Sequence, residues 1–385
     1  MKILFLTPRI PYPPHKGDQA VAFHRLRTLG LKHEITLLTF VEGQEDPRAE
    51  LALRPFCRRI IRVPHPRWKI IWNLVTGGLF NELPLQANYY RSAAFRTQLD
   101  TLLNDNFDVI HAFMLRLLPY LEEMKVPVVL ECIDSMQLNL SRQVQLTSGP
   151  MRWIYQEEFR RISSYENSID EYVERALFVS DIDAKASGSN KALVLPLGVT
   201  PPSGSARCEQ PIVAFSGNMG YDPNIQAVEW FIRNCWEKIY RTIPDASFWI
   251  IGGNPPPSIV SFQKLPGVRV VGQVENMMRE LMQVAVSVAP MQSGSGMQFK
   301  ILEAMACGLP VVTTQLGLGA IAAEPNENIV IADEPADMII AIINLLNNPE
   351  TRKRIGANAQ EFVKDHHSWE NAAMAIESEW SDLVL

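Results

Sequence analysis

The segment GSGMQFKILEAMACGLPVVTT, residues 294–314, concentrates residue types suited to a phosphorylated ligand. Gly294 and Gly296 flank Ser295 just after an apolar run that closes at Pro290, and a helical pattern begins within a few residues. A small-residue loop at a helix N-terminus offers backbone N–H groups and the positive dipole end to an anion. Lys300 lies one turn before Glu303, so both side chains share a helix face. An ammonium near phosphate and a carboxylate one turn deeper suit a nucleoside diphosphate, with the carboxylate accepting bonds from ribose hydroxyls. The same residues also fit a buried helix with an incidental Lys–Glu pair, because glycine-rich turns between strand and helix are common.

A second candidate is the loop PRIPYPPHKGD that follows the first apolar run. Its prolines hold the backbone extended, and Gly17 permits close approach before a helix beginning at Asp18, which reads as an N-cap. In a functional reading the Gly17 amide faces phosphates with Lys16 nearby. His111 ends the run FDVIH, where a histidine either serves the structure or faces a ligand cleft. Asp134 and Ser135 follow the run PVVLECI, in a loop at another strand end. Asp181-Ile182-Asp183 has the spacing of a metal-holding DxD, but helix capping explains it more simply, and no metal is required.

Residues 51–80 contain no acidic side chain. Arg54, Arg58, Arg59, Arg62, Arg67 and Lys69 interleave with Ile60, Ile61, Trp68, Ile70, Ile71 and Trp72. Such a basic amphipathic face fits either an anionic membrane, through residues 54–72, or an ordinary solvated surface over core-facing isoleucines.

The elements that must position these groups alternate regularly. Apolar runs at 2–7, 34–41, 58–63, 109–113, 127–132, 177–180 and 193–195 read as strands covered on both faces, with helical stretches at 18–30, 93–104 and 149–176. A proline- and glycine-bearing segment, 195–211, reads as a linker. The pattern then restarts with strands at 212–216, 247–252, 268–272, 284–290 and 310–314 and helices at 224–240, 298–307, 335–346, 349–364 and 369–385. Repeated βαβ units predict an α/β fold of two Rossmann-like doubly wound domains, whose strand C-terminal edges face an interdomain cleft. At 385 residues the chain exceeds one ordinary core, which stops growing near ~250 residues.

With 47% hydrophobic and 20% charged residues the composition is globular, and a net charge of −6 recruits no nucleic acid. There is no apolar run long enough to span a membrane, and the apolar start reads as too short for a secretion signal, so none is expected. Cys57, Cys132, Cys208, Cys235 and Cys307 lack metal-site spacing and fit reduced thiols in a cytoplasmic setting, with the basic face allowing peripheral attachment to the inner side of the membrane.

The stretch KILEAMACGLPVV resembles the signature of family 4 retaining glycosyltransferases of the GT-B fold, in which the matching helix grips the ribose of a nucleotide-sugar. The resemblance spans the chain. TPRIPYPPHKGDQAVAFHRLRTL is similar to that family's first strand and proline-glycine loop, FDVIHAF and VLPLGV match in place and order, and FSGNM and VGQV match its phosphate and base loops. The nearest subgroup is that of bacterial sugar transferases linked to exopolysaccharide clusters.

The resemblance implies a donor site built from Gly217, Asn218, Gly272, Val274, Gly294, Ser295, Gly296, Met297, Lys300 and Glu303, together with Gly17. It implies an acceptor side with Lys16, Asp134 and Ser135, and a catalytic group of His111, Lys300 and Glu303. The expected domains are an acceptor-side domain at 1–200, a donor-binding domain at 201–367, and a C-terminal helix at 368–385 packing back toward the first. The expected partners are a nucleotide-sugar and a sugar or lipid-linked acceptor. The nucleotide-sugar is a substrate; no cofactor is expected. Two departures stand out: the family's first glutamate, eight positions before Glu303, is Ser295 here, and GNMGYDPN carries no Lys or Arg. The first leaves the transferred sugar open, with Ser295 and the amides of residues 294–297 available to its hydroxyls. A nucleotide-sugar epimerase of the same fold and a non-catalytic nucleotide-binding scaffold are the alternatives.

Overall fold

The structure is a computed structural model that describes residues 1–14, 17–43, 46–202, 204, 209–293 and 297–384. The chain divides into two compact units, Met1–Gly198 with Trp369–Leu385, and Val199–Ser368. Each unit has its own parallel sheet and its own apolar core.

The first sheet contains β1 (Lys2–Thr7), β2 (Glu34–Val41), β3 (Arg59–Pro64), β4 (Val109–Phe113), β5 (Val128–Ile133), β6 (Arg175–Phe178) and β7 (Ala192–Val194). Their order is β3-β2-β1-β4-β5-β6-β7. The chain therefore winds outward from β1 in one direction and then restarts beside it, which leaves a topological switch between β1 and β4. Ile3, Leu4, Phe5 and Leu6 are wholly buried, as a strand covered on both faces requires.

The second sheet contains β8 (Ile212–Ser216), β9 (Ser247–Ile251), β10 (Val268–Gly272), β11 (Val286–Ala289), β12 (Val311–Thr313) and β13 (Val330–Ile331). Its order is β10-β9-β8-β11-β12-β13, so the switch lies between β8 and β11. Both sheets are doubly wound and Rossmann-like, as expected. The two-residue β13 was not anticipated, because so short a run carries no period.

Several boundaries differ from the sequence expectation. The helix expected at 149–176 ends at Asn167, followed by a 3-10 turn at Ile169–Glu171 and by β6. Helical periodicity cannot register that turn, since Ile169 and Val173 stay buried across it. The helix expected at 224–240 is Asp222–Phe231, continued through a π turn, Ile232–Trp236, into Glu237–Thr242. The basic stretch contains the helix Arg67–Phe80.

The last helix, Trp369–Val384, belongs to the first unit and packs on the helix Gly17–Leu29. Trp369 stacks on His24 with ring centres 4.5 Å apart, and Glu377 pairs with Lys32 and His33. Beneath it lies a buried ionic cluster: Arg25 donates to Glu131 at 3.0 Å from both Nε and Nη2. His111 adds Nε2 at 3.3 Å from the same carboxylate.

Candidate active site

In the second unit the C-terminal ends of β8, β9 and β10 each turn on a glycine. Gly217 has φ 153°, Gly252 φ 151° and Gly272 φ 78°, values that side chains rarely adopt. The loops stack on one another: the Gly217 amide donates to Ile251 O at 2.9 Å, and the Gly252 amide to Gly272 O at 2.8 Å. The packing is so close that a Cβ on Gly252 would fall 1.8 Å from the Gly217 carbonyl oxygen. Asn218 Oδ1 accepts from the Gly220 amide at 3.0 Å and from Asn254 Nδ2 at 3.2 Å, and Asn224 Nδ2 donates to Asn218 O at 2.8 Å. Val274, just past β10, is half-buried.

Against this loop ladder lies the helix Phe299–Ala306. Ile301, Leu302, Ala304, Met305 and Ala306 are buried, while Lys300 and Glu303 are half-buried on the opposite stripe. The stem of Lys300 runs beside Gly217, where a Cβ would meet Lys300 Cε at 3.2 Å and Asn224 Nδ2 at 2.8 Å. The Lys300 ammonium donates to Gln298 Oε1 at 2.7 Å and sits 5.7 Å from the centre of the Phe215 ring.

Burial lowers the Lys300 ammonium to about 8, opposed by Glu303. Burial likewise raises Glu303 to about 7, opposed by Lys300. Half-buried side chains set beside the close-packed glycine loops form the floor of a recess. Two buried polar atoms nearby, Ser216 Oγ and Asn224 Oδ1, have no hydrogen-bond partner among the described residues. The recess thus brings one cation, a carboxyl raised to about 7 and two unpartnered buried polar atoms against close-approach glycines. That chemistry suits a diphosphate ester with hydroxyls. Gln298, Ser216 and Asn224 escaped the sequence reading; Gln298 carried a signal, two residues before Lys300 in the same segment. Gly294, Ser295 and Gly296 lie outside the described residues, as does Lys16; Met297 is half-buried.

The expected first-unit residues fare differently. Gly17 opens its helix, and no described protein atom lies within 4 Å of where its Cβ would stand. Asp18 is in the first turn rather than at the cap and pairs with Arg9 at 3.2 Å. His111 does not face a cleft: its ring is fully buried, stacked on Phe5 and edge-on to Trp380, and bonded to Glu131. It belongs to the buried ionic cluster, sharing Oε2 of Glu131 with Arg25 Nε, each at 3.3 Å. Ser135 is fully buried too, capping the helix Met136–Leu146 by accepting from Leu138 N at 3.2 Å, so it is closed to an acceptor.

Asp134 remains half-buried in the turn after β5. Ile133 before it has φ 70°, a strained conformation for a β-branched side chain. Burial, and then the nearby Asp183, raise Asp134 to about 7. The cap of the helix Asp181–Ser187 is Ser180, not an aspartate. Asp183 is buried and accepts the Ser135 amide at 3.0 Å, which ties the loops after β5 and β6 together.

Residues 210–348 match the family described as glycosyl transferases group 1. An uncharacterized glycosyltransferase of Methanocaldococcus jannaschii is 32% identical over 148 residues, which cover 38% of this chain and 38% of that protein. The match therefore spans well under half of that relative's length. Anabaena HepE, solved in complex with UDP and glucose, superposes with a TM-score of 0.68 at 15% identity, covering 100% of both chains. WaaG, a glycosyltransferase involved in lipopolysaccharide biosynthesis, gives 0.66 at 13% identity, covering 97% of this chain and 99% of its own. At such identities the likeness is one of fold: two Rossmann-like units in the GT-B class.

Proposed function

We propose that this protein is a glycosyltransferase that moves a sugar from a nucleotide-sugar donor to a hydroxyl acceptor. The observation that carries the reading is the recess of Lys300 and Glu303 beside Gly217, within the segment matched to glycosyl transferases group 1. In this reading the unit built around 201–367 holds the donor. Glu303 accepts ribose hydroxyls, Lys300 and the loop 294–297 meet the diphosphate, and Gly272 to Val274 flank the base. Because the loop after β8 lacks Lys and Arg, Lys300 carries more of the phosphate charge than the family pattern asks of it.

The unit built around 1–200 presents the acceptor, with the half-buried carboxyl of Asp134 on that side. Catalysis rests on orientation and on stabilising the departing diphosphate, with no metal ion called for. We favour retention at the anomeric carbon, by front-face attack in which the leaving phosphate oxygen takes the acceptor proton. Exopolysaccharide or glycolipid assembly is the setting best supported by the sequence subgroup and by the likeness to WaaG.

Attachment to an anionic membrane is part of the proposal. On the helix Arg67–Phe80, Trp68, Ile71, Trp72 and Val75 are 70%, 62%, 66% and 55% exposed, an apolar stripe at helical spacing behind Arg67 and Lys69. Of the other cations expected there, Arg58, Arg59 and Arg62 pair with Glu34, Asp105 and Glu50, so the stripe rather than bulk charge supports contact. No helix among the described residues is long and apolar enough to cross a membrane.

Calorimetry with nucleoside diphosphates tests the donor site: Glu303→Ala binding as tightly as wild type would remove the ribose assignment. Turnover of a broad nucleotide-sugar panel, with membrane extract supplied as acceptor, tests the reaction. Donor binding without any transfer or hydrolysis would leave only a scaffold.

A further inference from the structure

Outside the donor recess, polar groups gather at the other topological switch, between the C-terminal ends of β1 and β4. Arg9 lies two residues beyond β1 and Arg116 three beyond β4. Both converge on Tyr90, whose short helix Leu85–Tyr89 packs against the 3-10 turn Leu115–Tyr120. Arg9 Nη2 donates to the Tyr90 hydroxyl at 3.3 Å, and the Arg116 guanidinium lies 6.0 Å from the centre of the Tyr90 ring.

The two cations differ in how they are balanced. Arg9 has Asp18 at 3.2 Å, and Glu42 lies close enough to Tyr89 to accept its hydroxyl at 3.0 Å. Arg116 is half-buried and has no carboxylate partner among the described residues. Its Nε donates to Gln86 Oε1 at 2.9 Å, which fixes the fork and leaves both terminal nitrogens open. A guanidinium held in place, partly desolvated and without a counterion is costly unless an anion completes it.

The scaffold beneath is rigid. Tyr90 is buried against Phe40 and His65, and Tyr120 donates its hydroxyl to Tyr90 O at 2.6 Å. Met114, which turns the chain from β4 toward Arg116, has φ 78° without being a glycine.

We propose that Arg116, with Arg9 and the Tyr90 hydroxyl, forms a second anion site that binds a phosphate or pyrophosphate group carried by the acceptor. The terminal nitrogens of Arg116 match two oxygens of a phosphoryl group, and the switch crevice is where a doubly wound sheet receives ligands. This rests on the first unit being the acceptor side.

The test is calorimetric titration of the full chain with inorganic pyrophosphate, using Lys300→Met and Arg116→Gln separately. Wild type shows two sites. Lys300→Met loses the donor site, and Arg116→Gln weakens the other by about tenfold, as expected for one charge-assisted fork. Arg116→Lys keeps part of the affinity. Tyr90→Phe, which removes only the hydroxyl that holds Arg9, also weakens the second site.

An Arg116→Gln protein that titrates like wild type overturns the proposal. If only Lys300→Met titrates like wild type, the donor reading falls while the second site stands. Pelleting with phosphatidylcholine vesicles, with and without phosphatidic acid, then separates the sources. Loss of phosphatidic-acid-dependent pelleting in Arg116→Gln marks a lipid-borne phosphate. Loss of pyrophosphate binding alone marks a soluble one.

Discussion

Lys300 donates its ammonium to Gln298, two residues before it, at 2.7 Å, and forms no ion pair with Glu303 among the described residues. A neutral partner keeps the cation in place while leaving its charge available to a ligand. The pair at 300 and 303 is therefore poised for a ligand that brings its own negative charge.

Nucleoside diphosphate affinity is expected to follow a bell in pH. Glu303, raised by burial to about 7, must lose its proton to accept ribose hydroxyls, so affinity climbs as pH rises through about 7. Lys300, lowered by burial to about 8, loses its charge above that point, and affinity falls. Calorimetry across this range checks both limbs. In Glu303→Gln the acid limb flattens.

Gly252→Ala tests the stacked loops. Its φ of 151° and a Cβ placed 1.8 Å from Gly217 O leave no room, so the loop must shift. We expect a stability loss of roughly 2 kcal/mol or more in urea denaturation, together with weaker nucleotide binding. Intact nucleotide affinity would show that the ladder does not position the recess.

Glu131→Gln strands the buried charge of Arg25 and is expected to cost about 3–5 kcal/mol. Burial alone would raise the Glu131 carboxyl, but Arg25 and His111 outweigh it and hold it below its ordinary range. A depressed carboxyl stabilises the fold above its unfolded pKa, and that contribution fades as pH falls through the lower folded value. Urea midpoints should therefore drop on acidification more steeply in wild type than in Glu131→Gln.

The exposed stripe makes a separate prediction. Trp68→Ser with Trp72→Ser should lower pelleting with anionic vesicles by about tenfold and leave the melting temperature unchanged, because neither indole is packed in the core. Equal pelleting of the double variant would remove the membrane from the proposal.

The sequence by itself determined the two doubly wound sheets, because apolar runs covered on both faces and long crossovers admit little else. It also placed Lys300 and Glu303 on one stripe, since their spacing of three residues is itself the helical geometry. Polar residues whose partners come from distant segments were decided only by tertiary structure. The enclosure of His111 depends on Arg25 reaching Glu131 across 106 residues and on Trp380 returning from the last helix. The juncture of Arg9 with Tyr90 spans 81 residues. Periodicity reports which face of an element is apolar, but which polar group is neutralised depends on strand order, and strand order brings together residues that no local pattern links.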